Sequence, residues 1–146
     1  MEINSPVKKL KLLLTDIKTL MTQVDLDAQV YKEGTTAGQI AFHASGTANS
    51  WLKVKLLGGE FNRDKESELT KPHTIEEINN ALDSAIEACD QLGAKELDLN
   101  EKLSEEVTMG EWTIDTVGSA LIFLTAHTSG HAAELTMLRD YVSTLK

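Results

Sequence analysis

Apolar residues fall into four stripes at three-to-four spacing, the period of a helix with one buried face. The first runs Val7, Leu10, Leu13, Leu14, Ile17, Leu20, Met21 and Val24. Ser5 and Pro6 precede it as N-cap and first helical residue, where the missing proline amide costs nothing. The second starts near Thr36, which has capping-box spacing to Gln39. It presents Ile40, Ala44, Thr47, Trp51 and Val54, and Gly58-Gly59 ends it. The third follows Pro72, with Thr74 and Glu77 as another capping box. Its stripe is Ile75, Ile78, Leu82, Ala85, Ile86, Cys89 and Leu92, and Gly93 is expected to stop it. The fourth opens around Thr113 and continues almost to Lys146, with a core face of Val117, Leu121, Leu124, Thr128, His131, Leu135 and Leu138.

No segment shows convincing period-two alternation, although "KLSEEVTMGEWT" has room for a short extended piece. The links at residues 58–73 and 94–112 are long for an up-down bundle, where about 2–8 residues is usual. Long links imply crossovers, or loops that cover something. The expected fold is therefore all-α, a four-helix bundle with crossover connections, forming a single domain over residues 1–146.

Composition narrows the function. The net charge is −9, and the basic residues are scattered apart from Lys8, Lys9 and Lys11. That argues against nucleic acid as a partner, since phosphate-backbone binding needs a concentrated positive face. The most apolar stretch, residues 120–124, falls far short of the roughly 20 residues that span a bilayer. No signal-peptide pattern follows the polar start, so a cytoplasmic protein without a membrane partner is expected. Cys89 is the single cysteine, which excludes an internal disulfide framework and a four-cysteine zinc site. On the stripe of the third helix it reads as a small buried hydrophobe, not a nucleophile. A Gly-rich phosphate loop and a Gly-x-Ser-x-Gly elbow are both absent.

The chemistry concentrates in "HTSGHA", residues 127–132. Positions i and i+4 share a helix face about 6 Å apart along the axis, so His127 and His131 can converge on one ion. No glutamate lies between them, so the zinc-protease motif is absent. "HASGTA", residues 43–48, matches "HTSGHA" at four of six positions and offers His43 as a third nitrogen from the second helix. Three protein ligands leave a position for water or substrate, the pattern of catalytic zinc sites. The bland alternative is that both helices simply favour small residues and satisfied histidines where they pack closely. Glu134, three residues after His131, could ligate, orient a ligand, accept a proton as the catalytic residue, or sit exposed with no role. His73 reads as an exposed loop residue. Trp51 and Trp112 read as core aromatics, with lining the cavity as the alternative.

A histidine in the second helix and His-x-x-x-His late in the fourth resemble the DinB-like family, which includes the YfiT-like proteins. "TTAGQIAFHASGTANSWL" is similar to the family's first ligand helix, and "TIDTVGSALIFLTAHTSGHAAELTMLRD" to its last. The resemblance implies a four-helix bundle with crossovers and a three-histidine divalent-metal site, here His43, His127 and His131. Zinc or nickel is the foremost cofactor implied, with iron a further candidate. It also implies a small-molecule substrate and an activity of the thiol-dependent S-transferase or hydrolase type, with a low-molecular-weight thiol as a partner. A homodimer is carried as a further partner expectation. Family members often continue with Gly-Gln or Gly-Glu two to three residues after the last histidine. Here Ala133-Glu134 keeps the acid and lacks the glycine. The rival expectation is a non-catalytic metal-binding or stress-response protein with structural histidines.

Overall fold

Four long helices form where the apolar stripes lie. The computed structural model describes residues 5–30 and 33–145. Helix α1 spans Ser5–Leu20 and buries Val7, Leu10, Leu14 and Ile17; the capping role expected of Ser5 lies outside the described side chains. Helix α2, Ala37–Asn49, starts at the Thr36 capping box, in which the Thr36 hydroxyl accepts from the Gln39 amide. A short helix α3, Lys65–Thr70, lies within the following link. Helix α4, Ile75–Gly93, starts at the Thr74–Glu77 box. Antiparallel strands β1, Lys102–Met109, and β2, Trp112–Thr116, precede helix α5, Val117–Ser143.

The fold is thus mostly helical with a small two-stranded sheet, and the all-α expectation is corrected by this hairpin. Met109 pairs with Trp112 across a turn in which Gly110 adopts φ 62°, the left-handed region that glycine enters freely. The register shifts between Lys102 and Val107, and β1 buries little on either face. That is why period-two alternation is absent from its sequence. The strand also moves the start of the last helix. Thr116, not Thr113, is its N-cap, with Ser119 completing the box.

Helix α2 does not stop at Asn49. It continues as a π-helical segment, Ser50–Leu56, and only then ends at Gly58, whose φ of 70° lets the Gly58 and Gly59 amides bond back to Val54 and Lys53. The wider turn shifts the buried face. Trp51 and Leu52 go inward together, and Val54, expected on the inner face, is exposed. Ile75 is also exposed, because it sits in the first turn of α4 before the helix reaches the core. Helix α4 ends at Gly93 as expected, although not by a left-handed stop, since the cap beyond it, Ala94, is right-handed.

The extensive helix contacts are α1 with α4 and α5, and α2 with the same two. The 21–36 and 94–116 links therefore join helices that are not close neighbours. The 57–74 link joins neighbouring helices, so its length is not needed for a crossover. The core between the helices includes Leu10, Leu14, Ile17, Leu52, Ile78, Leu82, Leu121, Leu124 and Leu135, all buried. Surface pairs Lys11–Asp90 and Lys18–Asp83 join α1 to α4, and being exposed they contribute little, about 0–1 kcal/mol each.

Candidate metal centre

The four-residue spacing in α5 stacks His127 and His131 on one face, with their Nε2 atoms 3.2 Å apart. Helix α2, packed against α5, brings in His43. Its ring centroid lies 5.3 Å from that of His127 and 5.1 Å from that of His131. One ring nitrogen from each of the three lies within 4.8 Å of the others. Among the described residues this is the group of histidine, cysteine and carboxylate side chains that converges closely enough to hold a metal ion.

The donor set fits a divalent ion. Two nitrogens bound at about 2.0–2.1 Å to a tetrahedral zinc lie about 3.3 Å apart, which matches the His127–His131 pair. Ligation needs neutral imidazole. Burial pushes His127 down to about 4, reinforced by the positive charge of His131, His43, Arg63 and Lys65. Burial also lowers His131, opposed by Glu134 and reinforced by His43. Nδ1 of His127 is buried without a hydrogen-bond partner among the described residues. The side chains of His43 and His131 stay 14% and 19% exposed, so the cluster lies at the rim of the core and is not fully enclosed by it.

The link between α2 and α4 supplies the rest of the site. Its Glu68 is buried at 2% exposure, and its Oε1 accepts from Nδ1 of His43 at 3.0 Å. With Nδ1 so committed, Nε2 is the nitrogen His43 has left for a ligand. Arg63 grips the same carboxylate in a fork, Nε to Oε2 and Nη2 to Oε1 at 2.7 Å each, and Nη2 also donates to Thr47 on α2 at 3.0 Å. Burial works against the charge on Glu68. The hydrogen bonds and charges of Arg63 and His43 outweigh it and hold the carboxyl below its usual range. The carboxylate lies against the α2 backbone at Gly46, where any Cβ would overlap it. The glycine of "HASG" thus has a local reason. Gly130 of "HTSG" faces open space.

His73 differs from its sequence reading. Its side chain is 6% exposed and stacks on Phe42 at 4.0 Å. Its Nε2–H donates to the carbonyls of Ser67 and Glu68, at 3.0 and 3.1 Å, fixing the end of α3 beside the site. Below the histidines, Trp51 packs on Phe123 at 5.0 Å, and Phe123 packs on His127 at 5.7 Å. Trp112, expected in the core or lining the cavity, is 68% exposed at the hairpin turn, because the turn projects it past the helices. Cys89 is buried as expected, and desolvation pushes its thiol up to about 12.

Glu134 Oε1 lies 2.8 Å from Nδ1 of His131 without forming a well-directed hydrogen bond, and its side chain is 55% exposed. It stands at the ring edge opposite the Nε2 that faces His127. Sequence reasoning missed Arg63, Glu68 and the anchoring role of His73. Arg63 is one of only two arginines in the chain. A planar guanidinium in an otherwise featureless link was the available signal, since arginine is the usual partner of a buried carboxylate.

No family model, curated protein or solved structure matches the chain.

Proposed function

We propose that the protein is a four-helix bundle of the DinB-like type whose His43, His127 and His131 hold a divalent cation, zinc or nickel foremost, in a metal-dependent enzyme of the cytoplasm. The observation that carries this reading is the convergence of three imidazoles from two helices, with the side chains of His43 and His131 still partly exposed. A closed structural site uses four protein ligands, whereas three leave a position for an exchangeable one. Bound there, a divalent cation would lower the pKa of a coordinated water or thiol, to about 7 for water on catalytic zinc. That chemistry suits the S-transferase or hydrolase activities implied by the resemblance, with a small-molecule electrophile and a low-molecular-weight thiol as reactants.

The chain's own residues have distinct tasks in this reading. His43, held by Glu68, and His131, flanked by Glu134, present fixed nitrogens. Glu134 places a negative charge at the ring edge of His131 that faces away from the ion. Phe123, backed by Trp51, packs an apolar ring against His127.

Metal analysis and zinc titration of untagged protein test the reading. The expected result is one equivalent per chain, lost in His43→Gln, with the apo variant still folded. Absence of stoichiometric zinc or nickel binding by the wild-type protein would refute it.

A further inference from the structure

We propose that Glu68 is the positioning residue of the metal centre, aiming Nε2 of His43 at the ion and setting the affinity of the site; this rests on the three-histidine reading above. The carboxylate of Glu68 is held at both oxygens. Each of its oxygens takes a bond from Arg63, and Oε1 takes a second from His43. An imidazole that donates one N–H to a carboxylate is fixed in tautomer and in ring direction, and its other nitrogen becomes a better donor to a cation. Glu68 is not itself one of the converging ligands, since the group that could hold an ion comprises the three histidines.

Three features show that this orientation is built in. Arg63 joins the carboxylate to Thr47 on the ligand helix. His73 holds the carbonyls of Ser67 and Glu68. Gly46 leaves the notch into which the carboxylate fits, one helical turn after His43. The 57–74 link thus acts as a strap whose one buried acid is delivered to one ligand. Charge adds to direction. The Glu68 carboxylate offsets Arg63, a cation that would otherwise repel a divalent ion nearby.

The test compares the full-length wild-type protein with Glu68→Gln, Gly46→Ala and Gly130→Ala. Cobalt(II) binding is read by its ligand-field absorption and zinc affinity by competition with a chromophoric chelator. Glutamine keeps an oxygen that can accept from His43 but loses the charge. Alanine at position 46 deletes no polar group and suits a helix, yet it displaces the carboxylate. Each of these two variants is expected to bind zinc about 10–100-fold more weakly. Each should also shift the cobalt(II) absorption, a change that loss of stability alone does not produce. Gly130→Ala, which meets no neighbour, should match wild type. If the wild-type protein binds and both Glu68→Gln and Gly46→Ala bind equally well with unchanged spectra, the positioning role is wrong and the three-histidine centre stands. If the wild-type protein binds neither metal, both proposals fall. Should Glu68→Gln not fold, Gly46→Ala decides: folded with undiminished affinity, it overturns the proposal.

Discussion

Acid should destabilise the metal-free protein through His127, by an amount that follows from its environment. The imidazole is pushed down to about 4 in the folded state, against an ordinary value near 6.5 in the unfolded chain. The unfolded state therefore takes up the proton first. Stability from this group is level above about pH 7 and declines as pH falls from about 6.5 to about 4. At pH 4.5 the full shift corresponds to about 2.5 kcal/mol. Because His127 is only partly buried, screening reduces this to about 1–2 kcal/mol. The perturbation is His127→Gln, which removes the titration while keeping a polar side chain of similar length. Urea denaturation in chelator at pH 7.5 and pH 4.5, for both proteins, isolates the term, because the carboxylates common to both cancel. The wild-type protein should lose about 1–2 kcal/mol more than the variant between the two pH values. Equal losses would show that His127 titrates normally and that the burial argument is wrong.

Two further outcomes test the surroundings of the site. His73→Ala removes the stack on Phe42 and the bonds to the end of α3. It should cost about 1–3 kcal/mol in urea melts, with faster amide exchange across residues 65–70, and unchanged exchange there would contradict the anchoring role. Leu124→Ala, at a fully buried position, should cost about 2–5 kcal/mol, whereas Ile122→Ala, 71% exposed two residues away, should stay within about 0.5 kcal/mol. Comparable losses would mean that the packing face of α5 is misassigned.

The helices were legible because burial and period coincide. Leu10, Leu14 and Ile17 on α1, and Ile78, Leu82 and Cys89 on α4, are spaced by the turn of the helix and all face inward. Thr36 and Thr74 marked helix starts because a hydroxyl three residues before an acid or amide satisfies two otherwise unpaired amides. The three histidines could be grouped for a related reason, since two share a helix face and the third borders the buried side of its own helix. Other features depend on contacts between distant residues, which local periodicity does not encode. The pairing of Glu68 with Arg63 and His43 comes from a link without a repeating pattern. The hairpin buries too little to show alternation. The π-helical turn of Ser50–Leu56 slips the register mid-helix, so a stripe extrapolated from Ile40 and Ala44 placed Val54 on the wrong side.

The neighbour relations of the helices also bear on when the protein can fold. Helix α1 packs on α5, and Arg139 on α5 donates to Gln23 just after α1, a bond across 116 positions of sequence. Contacts between distant parts of a chain require large loops to close before any stabilisation returns, which slows folding. During synthesis α1 must wait for most of the chain before its α5 partner surface exists, with α4 as its extensive earlier neighbour among the described residues. His43 waits in the same way, since its companions lie 84 and 88 positions later (127 − 43 and 131 − 43). Until α5 has been made the chain offers one of the three converging imidazoles, and the histidine cluster comes into being only as the last helix docks.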